Sequence, residues 1–372
     1  MTLNLHPLSG SSCQNLSYLL KTYGSDRAHF PQTLLMRGLS AFGEPERILE
    51  RRRLRKILPA MQLEPEPIFI LGHWRSGTTY LHHLMSQDPR FGYASSYQAW
   101  VPELFLGDSL PIRALVSASL PKTRPMDNVE ISIHKPEEEE LAMAGYCRYS
   151  YIHTFFFPQY TREIFRKSVL FEGLSPAEYQ HWKDCYSTVL KMASMGCDNR
   201  QLLLKSPANT ARIPTLLEMF PNAKFIHIYR NPYTVFTSKL HTCQKLIDLW
   251  GLQHVELSEI VDNVFHIYRE VMQRFVEDHQ TIPDGNLVEV SYEAFEQKPI
   301  ESLAQIYSAL GIPGFETVSD HISSYVKANT KYRKNSYELE PEIAKRVEDE
   351  WGFALDRWGY CSSQTSDYSL SH

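Results

Sequence analysis

The chain has 372 residues, of which 43% are hydrophobic and 22% charged, and its formal net charge is -5. This is the composition of an ordinary globular protein that forms one large or two modest domains with a sizeable core. The negative charge argues against a nucleic-acid binder, because such domains usually carry a concentrated basic face. The chain has no signal-peptide pattern and no long apolar run. We therefore expect a cytoplasmic protein without a transmembrane segment.

The first elements in chain order are helical. Residues 15–63 carry apolar positions at helical spacing and end in the basic run ERRRLRK, which extends from Glu50 to Lys56. This pattern predicts a helical N-terminal extension over residues 1–63. A basic run of this kind is typical of a solvated helix face. Contact with a lipid surface or an acidic partner remains the alternative, although Glu44, Glu46 and Glu50 dilute the charge.

The next segment, PIFILGHWRSGTTYLHHLM from Pro67 to Met85, reads as a buried strand, a Gly- and hydroxyl-rich turn and a helix. Such a turn cradles phosphate with its backbone N–H groups and the positive end of the helix dipole. Gly72 and Gly77 keep the glycine spacing of a Walker A loop, but Thr78 stands where that loop has lysine, and Arg75 supplies the cation. The altered loop therefore favours a phosphate ester other than a nucleoside triphosphate.

Further strands and helices alternate along the rest of the chain. A loop-rich insertion is predicted over residues 102–125, strands over 201–205, 224–229 and 287–290, and helices over 137–146, 175–195, 211–219, 235 onward, 257–279 and 299–310. This alternation predicts an α/β fold with a central parallel sheet flanked by helices and with ligands at the carboxyl ends of the strands. The polar residues 361–372 are predicted to form a flexible tail.

A second anion site is predicted at the end of the 224–229 strand. Arg230 closes that strand, and Ser238 follows eight residues later, so both side chains can converge on one anion. Two phosphate sites without a Walker lysine imply a nucleotide that is phosphorylated at two ends of its ribose. The six cysteines lack the close spacing of a zinc site or a disulfide framework, so we expect reduced thiols and no metal.

Together these motifs resemble the sulfotransferase superfamily, whose donor is 3′-phosphoadenosine-5′-phosphosulfate (PAPS). GHWRSGTT is similar to its 5′-phosphosulfate loop and YRNPYTVFTS to its 3′-phosphate motif. KPEEEELAM and LKSPANTARIPTL resemble segments of a bacterial subgroup with the R-S-G-T-T loop. The resemblance covers residues 67–310 and implies a three-layer P-loop-like fold, which we place at residues 64–360.

The resemblance also implies roles for individual residues. The 5′-phosphosulfate would be bound by Arg75, Ser76, Gly77, Thr78 and Thr79. Arg230 and Ser238 would bind the 3′-phosphate, and Tyr292 would lie near the donor nucleotide. The product would be 3′-phosphoadenosine-5′-phosphate (PAP), with no metal taking part.

Catalysis needs cations around the transferred sulfonate and a base for the acceptor hydroxyl. Arg75 and Lys205 are the candidate cations. His134 and the carboxylates of residues 137–140 are the candidate bases. The resemblance favours Glu138 as base, with Glu140 as its alternate or as an orienting partner.

The acceptor and two other functions remain open at this point. The aromatic runs at residues 96–106 and 149–158 either border a pocket for a small or lipid-like apolar alcohol or phenol, or form core. A divergent P-loop nucleotide kinase and a non-catalytic nucleotide-binding protein are the alternative functions. The sequence predicts no oligomeric state.

Overall fold

The computed structural model describes residues 5–104, 110–119, 132–328 and 339–360. The strands in this part of the chain are β1 Ile68–Leu71, β2 Phe91–Gly92, β3 Gln201–Lys205, β4 Lys224–Tyr229 and β5 Leu287–Ser291. The α-helices are α1 Cys13–Tyr23, α2 Phe30–Ile57, α3 Thr78–Met85, α4 Ser96–Trp100, α5 Leu110–Ser119, α6 Glu139–Tyr146, α7 His153–Phe156, α8 Thr161–Ser168, α9 Pro176–Met195, α10 Ile213–Met219, α11 Pro232–Trp250, α12 Leu257–Asp278, α13 Tyr292–Gln297, α14 Pro299–Ala309, α15 Ser319–Ala328 and α16 Pro341–Trp358.

The chain divides into two compact units. The first unit comprises Met1–Pro67, Pro89–Ser206 and Leu246–Val255, and the second comprises Ile68–Asp88, Pro207–Lys245 and Glu256–His372. The domain limits expected from the sequence, at residues 63 and 360, remain predictions. The tail predicted at residues 361–372 lies outside the described residues.

The second unit contains a parallel sheet formed by β1, β4 and β5. β1 pairs with β4 from Ile68 opposite Lys224 to Leu71 opposite His227, and β5 continues the sheet on the other side of β4. All four residues of β1 are inaccessible to solvent. A continuous apolar run is what a strand covered on both faces requires, and α3 packs on β1 while α13 and α14 pack on β5.

The first unit contains the parallel pair β2 and β3 and most of the helices that precede β3. Its long helix α9 begins with a capping box: the Ser175 hydroxyl accepts the Glu178 N–H, and the Glu178 carboxylate accepts the Ser175 N–H. Pro176 occupies the first helical position, where its missing N–H costs nothing. The predicted α/β fold class is confirmed, because the strands in both units are parallel and alternate with helices.

Two predictions for irregular and helical segments have different outcomes. The helical prediction for residues 15–63 is confirmed by α1 and α2. The loop-rich prediction for residues 102–125 is wrong over α5, which is helical across Pro111, whereas residues 105–109 and 120–125 lie outside the described residues. Among the described residues, no helix combines the length and the apolar character that crossing a bilayer requires.

Candidate active site

The loop after β1 depends on two glycines that no other residue can replace without a clash. Gly72 has φ +136°, and a Cβ there would lie 2.2 Å from the carbonyl oxygen of Ile228. Gly77 has φ +95°, and its Cβ would lie 2.2 Å from Cδ2 of Tyr292. Both torsions fall in the region that favours glycine. The loop therefore turns tightly from β1 into α3 and leaves backbone N–H groups at the start of that helix.

Arg75 lies in this loop with φ 76°, a left-handed conformation that costs a residue with a Cβ about 1 kcal/mol. Two contacts hold it there. Its Nε donates to the Ser238 hydroxyl at 2.9 Å, and its carbonyl oxygen accepts a hydrogen bond from Nη1 of Arg230 at 3.2 Å. Strained backbone of this kind is common at functional sites.

Tyr292 completes the group. The Arg230 guanidinium carbon lies 4.2 Å from the centre of the Tyr292 ring, and the same ring closes on Gly77. We call these residues the donor cluster: Arg75, Gly77, Arg230, Ser238 and Tyr292. The sequence analysis took them from three separate segments of the chain, and the structure brings them into direct contact within the second unit.

The other predicted loop residues lie at the start of α3. Ser76 and Thr78 are buried, and Thr79 is half-buried. Sequence reasoning missed a residue that positions this loop, Thr210. Its hydroxyl accepts the Gly72 N–H at 2.8 Å and lies 3.2 Å from the Gly72 carbonyl oxygen, to which it donates. The segment that contains Thr210 was recognised, but its link to Gly72 was not.

A second missed residue is Lys239, which directly follows Ser238. Its ammonium lies 4.5 Å from the centre of the Trp74 ring, and its side chain is buried. Trp74 is itself buried and meets His73 edge-on at 5.3 Å. Burial, with the Lys239 charge, holds the pKa of His73 well below its usual value. Lys239 thus adds a buried positive charge beside the donor cluster.

In the first unit, the acidic segment meets Lys205. Glu138 precedes α6, and its Oε1 accepts a short hydrogen bond from Nζ of Lys205, the last residue of β3. The Lys205 side chain is only 1% exposed, whereas that of Glu138 is 18% exposed. A buried ammonium requires a partner of opposite charge, and Glu138 is that partner while remaining accessible.

The two following carboxylates have partners of their own. Glu139 is fully buried; its Oε1 accepts the Tyr186 hydroxyl at 3.0 Å and its Oε2 accepts the Lys205 N–H at 3.2 Å. Burial raises the pKa of Glu139 to about 7. Glu140 accepts the Ser150 hydroxyl at 2.9 Å and the Tyr151 N–H at 2.7 Å. Glu140 therefore supports the local backbone, and Glu139, which the sequence analysis included among the candidate bases, is buried.

His134 is exposed, and its carbonyl oxygen accepts a hydrogen bond from the Tyr93 hydroxyl at 3.3 Å. Among the contacts of the described residues, none joins the His134 ring to Glu138 or Lys205. The aromatic run at residues 149–158 also differs from a pocket lining. Phe156 is fully buried and lies 4.6 Å from the His6 ring and 6.1 Å from the Trp250 ring, so this run forms core of the first unit.

Comparisons with known proteins agree with these motifs. The model described as "Sulfotransferase family" matches residues 67–317. Two curated proteins named omega-hydroxy-beta-dihydromenaquinone-9 sulfotransferase Stf3, from Mycobacterium bovis and Mycobacterium tuberculosis, are each 32% identical to this chain over 338 residues. The alignment covers 90% of this chain and 85% of each relative.

Solved structures show the same fold. Sulfotransferase STF9 from Mycobacterium avium has a TM-score of 0.65 at 16% identity, and the match covers 93% of this chain and 96% of that one. Sulfotransferase STF1 from Mycobacterium tuberculosis also has a TM-score of 0.65, at 17% identity, with 91% and 90% covered. At this identity the likeness is one of fold.

The raised pKa of Glu139 predicts a specific pH dependence of stability. Between its usual pKa of 4.5 and about 7, the folded protein holds a proton that the unfolded chain has released. As the pH rises from about 5 to about 8, the unfolding free energy of the wild type should therefore fall by about 2 kcal/mol more than that of Glu139→Gln. Urea unfolding at both pH values measures this, with the exposed Glu342→Gln as control. Equal pH slopes for wild type and Glu139→Gln would contradict the assignment.

Proposed function

The chain belongs to the sulfotransferase family, and we propose that it transfers the sulfuryl group of PAPS to a hydroxyl of a lipid-like, largely apolar alcohol. The donor is what the family implies. The observation that carries the proposal is the donor cluster, in which Arg75 contacts both Ser238 and Arg230. The acceptor class follows the curated relative, whose name states a hydroxylated menaquinone, which is a lipid.

The donor cluster supplies the charges that a doubly phosphorylated nucleotide requires. Arg75 and the backbone N–H groups of residues 76–79 would bind the 5′-phosphosulfate, and Arg230 and Ser238 the 3′-phosphate. The hydrogen bond from Arg75 to Ser238 keeps both side chains ready before the donor arrives, which reduces the ordering cost of binding. The guanidinium forks match phosphate oxygens in pairs, so this binding mode calls for no metal ion.

Glu138 is the base in this proposal. As the acceptor oxygen forms its bond to sulfur, its proton passes to Glu138, and the bond from sulfur to the bridging oxygen of PAPS breaks. The electron pair of that bond leaves with PAP. The Lys205 ammonium bonds the Glu138 carboxylate and would stabilise the negative charge that develops during transfer. His134 is the alternative base. Glu140 is disfavoured, because its carboxylate already bonds Ser150 and Tyr151.

Removing the base should lower turnover without weakening donor binding. Glu138→Gln keeps the size and an acceptor oxygen for Lys205 but cannot take a proton, so kcat should fall by about 10²- to 10⁴-fold. Transfer of radiolabelled sulfate from PAPS to a long-chain isoprenoid alcohol measures kcat, and calorimetry measures PAP affinity. Glu137→Gln is the matched control on the same segment. Unchanged turnover in Glu138→Gln would move the base to His134 or Glu140.

The 3′-phosphate assignment predicts selective damage to donor binding. Arg230→Ala removes a charged hydrogen bond, so PAP affinity should fall by about 10- to 100-fold, while affinity for 5′-adenylate should change little. Calorimetry without added metal compares the two ligands, with the exposed Lys345→Ala as a control of the same charge change. Equal losses for both ligands would contradict the 3′-phosphate assignment. Preference of the wild type for ATP with magnesium would contradict PAPS as the donor.

A further inference from the structure

The outer face of α2 is unusually apolar. In the part of the chain that the structure describes, eight large hydrophobic side chains are exposed, and seven of them lie on this one helix. Phe42 is 71% exposed and Phe30 66%. The full set on α2 is Phe30, Leu34, Leu35, Phe42, Ile48, Leu49 and Ile57. Clusters of exposed apolar side chains on this scale mark interaction sites rather than ordinary surface.

The charged residues of α2 are sorted by sign. Its exposed cations are Arg37, Arg52, Arg53, Arg55 and Lys56, and none of its exposed residues is acidic. Of the three glutamates expected to dilute the basic run, Glu50 is buried and the half-buried Glu44 bonds Arg47 at 3.2 Å and Arg51 at 3.1 Å, whereas the half-buried Glu46 lies beside the exposed cations. At 3.6 residues per turn the buried positions fall on the opposite side of the helix. The outer face of α2 therefore presents mainly apolar and cationic side chains, with Glu46 as a half-buried exception.

We propose that this outer face binds the surface of an anionic lipid bilayer. The apolar side chains enter the boundary between headgroups and acyl chains, and the cations contact lipid phosphates, as in interfacial helices that lie in the membrane plane. The inference goes beyond the sulfotransferase assignment, because it states where the protein works: at the surface from which a lipid-like acceptor has to be taken.

A second copy of the chain fits this face less well. In a symmetric dimer through α2, the five exposed cations of each copy would enter the interface with only the half-buried Glu46 beside them, because Glu44 already bonds Arg47 and Arg51, and this carries a large desolvation penalty. A bilayer offers phosphate to the cations and hydrocarbon to the apolar residues. A small, partly open pocket adjoins the helix and is lined mainly by apolar residues, including Leu39 and Phe42 of α2 and Trp100 and Leu104. Because Phe42 belongs both to the outer face of α2 and to the lining of the pocket, an apolar chain can pass from a bilayer into the pocket.

Flotation of the full chain with vesicles tests the proposal. Binding should require phosphatidylglycerol in phosphatidylcholine vesicles and weaken with salt. Arg52→Gln with Arg53→Gln should lower the partition coefficient about 30-fold. Phe42→Asn with Leu49→Asn should lower it at least about tenfold. The control for charge is a variant with both Lys21→Gln and Lys345→Gln. The control for apolar area is Leu257→Asn, at the eighth exposed hydrophobic residue. Both control variants should bind vesicles like the wild type.

Three results would overturn the proposal: no binding to anionic vesicles, equal binding by all variants, or a dimer in sedimentation equilibrium that Phe42→Asn with Leu49→Asn abolishes. All substituted residues are exposed, so the variants should fold, and circular dichroism checks this. Sulfation of a short water-soluble alcohol should be unchanged in the variant with Arg52→Gln and Arg53→Gln. Vesicle binding and sulfation are separate measurements, so a protein that binds vesicles but sulfates nothing would overturn the proposed function alone.

A different observation carries a second inference. Cys147 follows α6, and His181 and Cys185 lie one turn apart on α9; one ligand atom from each falls within 4.8 Å of the others. His181 Nε2 lies 3.6 Å from Cys185 Sγ. Both thiols are buried, and the exposed His181 leaves a path from solvent.

We infer that these three side chains bind one Zn²⁺, with water as the fourth ligand. Two thiolates and an imidazole are a donor set that zinc prefers. The 3.6 Å from His181 Nε2 to Cys185 Sγ fits tetrahedral bonds of about 2.3 Å to sulfur and about 2.0 Å to nitrogen. The sequence expectation of no metal relied on spacing along the chain, and 33 residues separate Cys147 from His181. Zinc would join α9 to the helix that carries Glu139 and Glu140.

Equilibration with zinc, gel filtration and elemental analysis test this site. The wild type should retain one zinc per chain and gain thermal stability from added zinc. Cys147→Ser and His181→Asn should each lower zinc affinity by at least about 100-fold and remove the thermal shift, while Cys197→Ser, at another buried thiol, should not. His181 is exposed, so its variant decides the question even if Cys147→Ser fails to fold. Wild type without zinc, or His181→Asn with full zinc, would overturn the inference.

Discussion

The donor cluster depends on a backbone that has no room for side chains at Gly72 and Gly77. The Ile228 carbonyl closes on the first glycine and the Tyr292 ring on the second, so the loop can take only one course between β1 and α3. That course puts Arg75 into a left-handed conformation, with its guanidinium at Ser238 and its carbonyl at Arg230. The positions of both guanidiniums thus follow from two missing Cβ atoms, and an arginine without this support would lose side-chain freedom only when the donor binds.

The acidic segment places three adjacent carboxylates at the start of one helix, and each of them has different partners. Glu138 pairs with the Lys205 ammonium and keeps access to solvent. Glu139 is buried and meets neutral donors, so burial raises its pKa to about 7, and the negative charges of its neighbours act in the same direction. Glu140 accepts hydrogen bonds from Ser150 and Tyr151. Their chemical differences come from partners that lie far away in the sequence, so four successive glutamates give no indication of which one is reactive.

The local structure was largely predictable, whereas the contacts between motifs were not. The strands at residues 201–205 and 224–229 were predicted with the observed limits, because short apolar runs bounded by turn residues are strong signals. The link from Arg230 to Arg75 spans 155 residues and exists because β1 pairs with β4, a register that no local pattern contains. Thr210, Lys239 and the group formed by Cys147, His181 and Cys185 were missed for the same reason. The helix α5 was missed because Pro111 was taken as a helix breaker, although the helix extends across that residue.

The α2 helix owes its stability to its inner face, and this makes its outer face a rigid surface. Arg47 is buried on the inner face of α2, and its guanidinium donates to the Ser40 carbonyl at 2.6 Å and to the Gly10 carbonyl at 3.1 Å. The direction in which Phe42 and Leu49 point is therefore set before any partner is met. A segment that folds only on contact with lipid loses part of its interaction energy to the entropy cost of ordering its backbone. In this protein the backbone of α2 is already ordered when the first unit folds. Even a modest apolar and cationic face can therefore hold the protein reversibly on a bilayer.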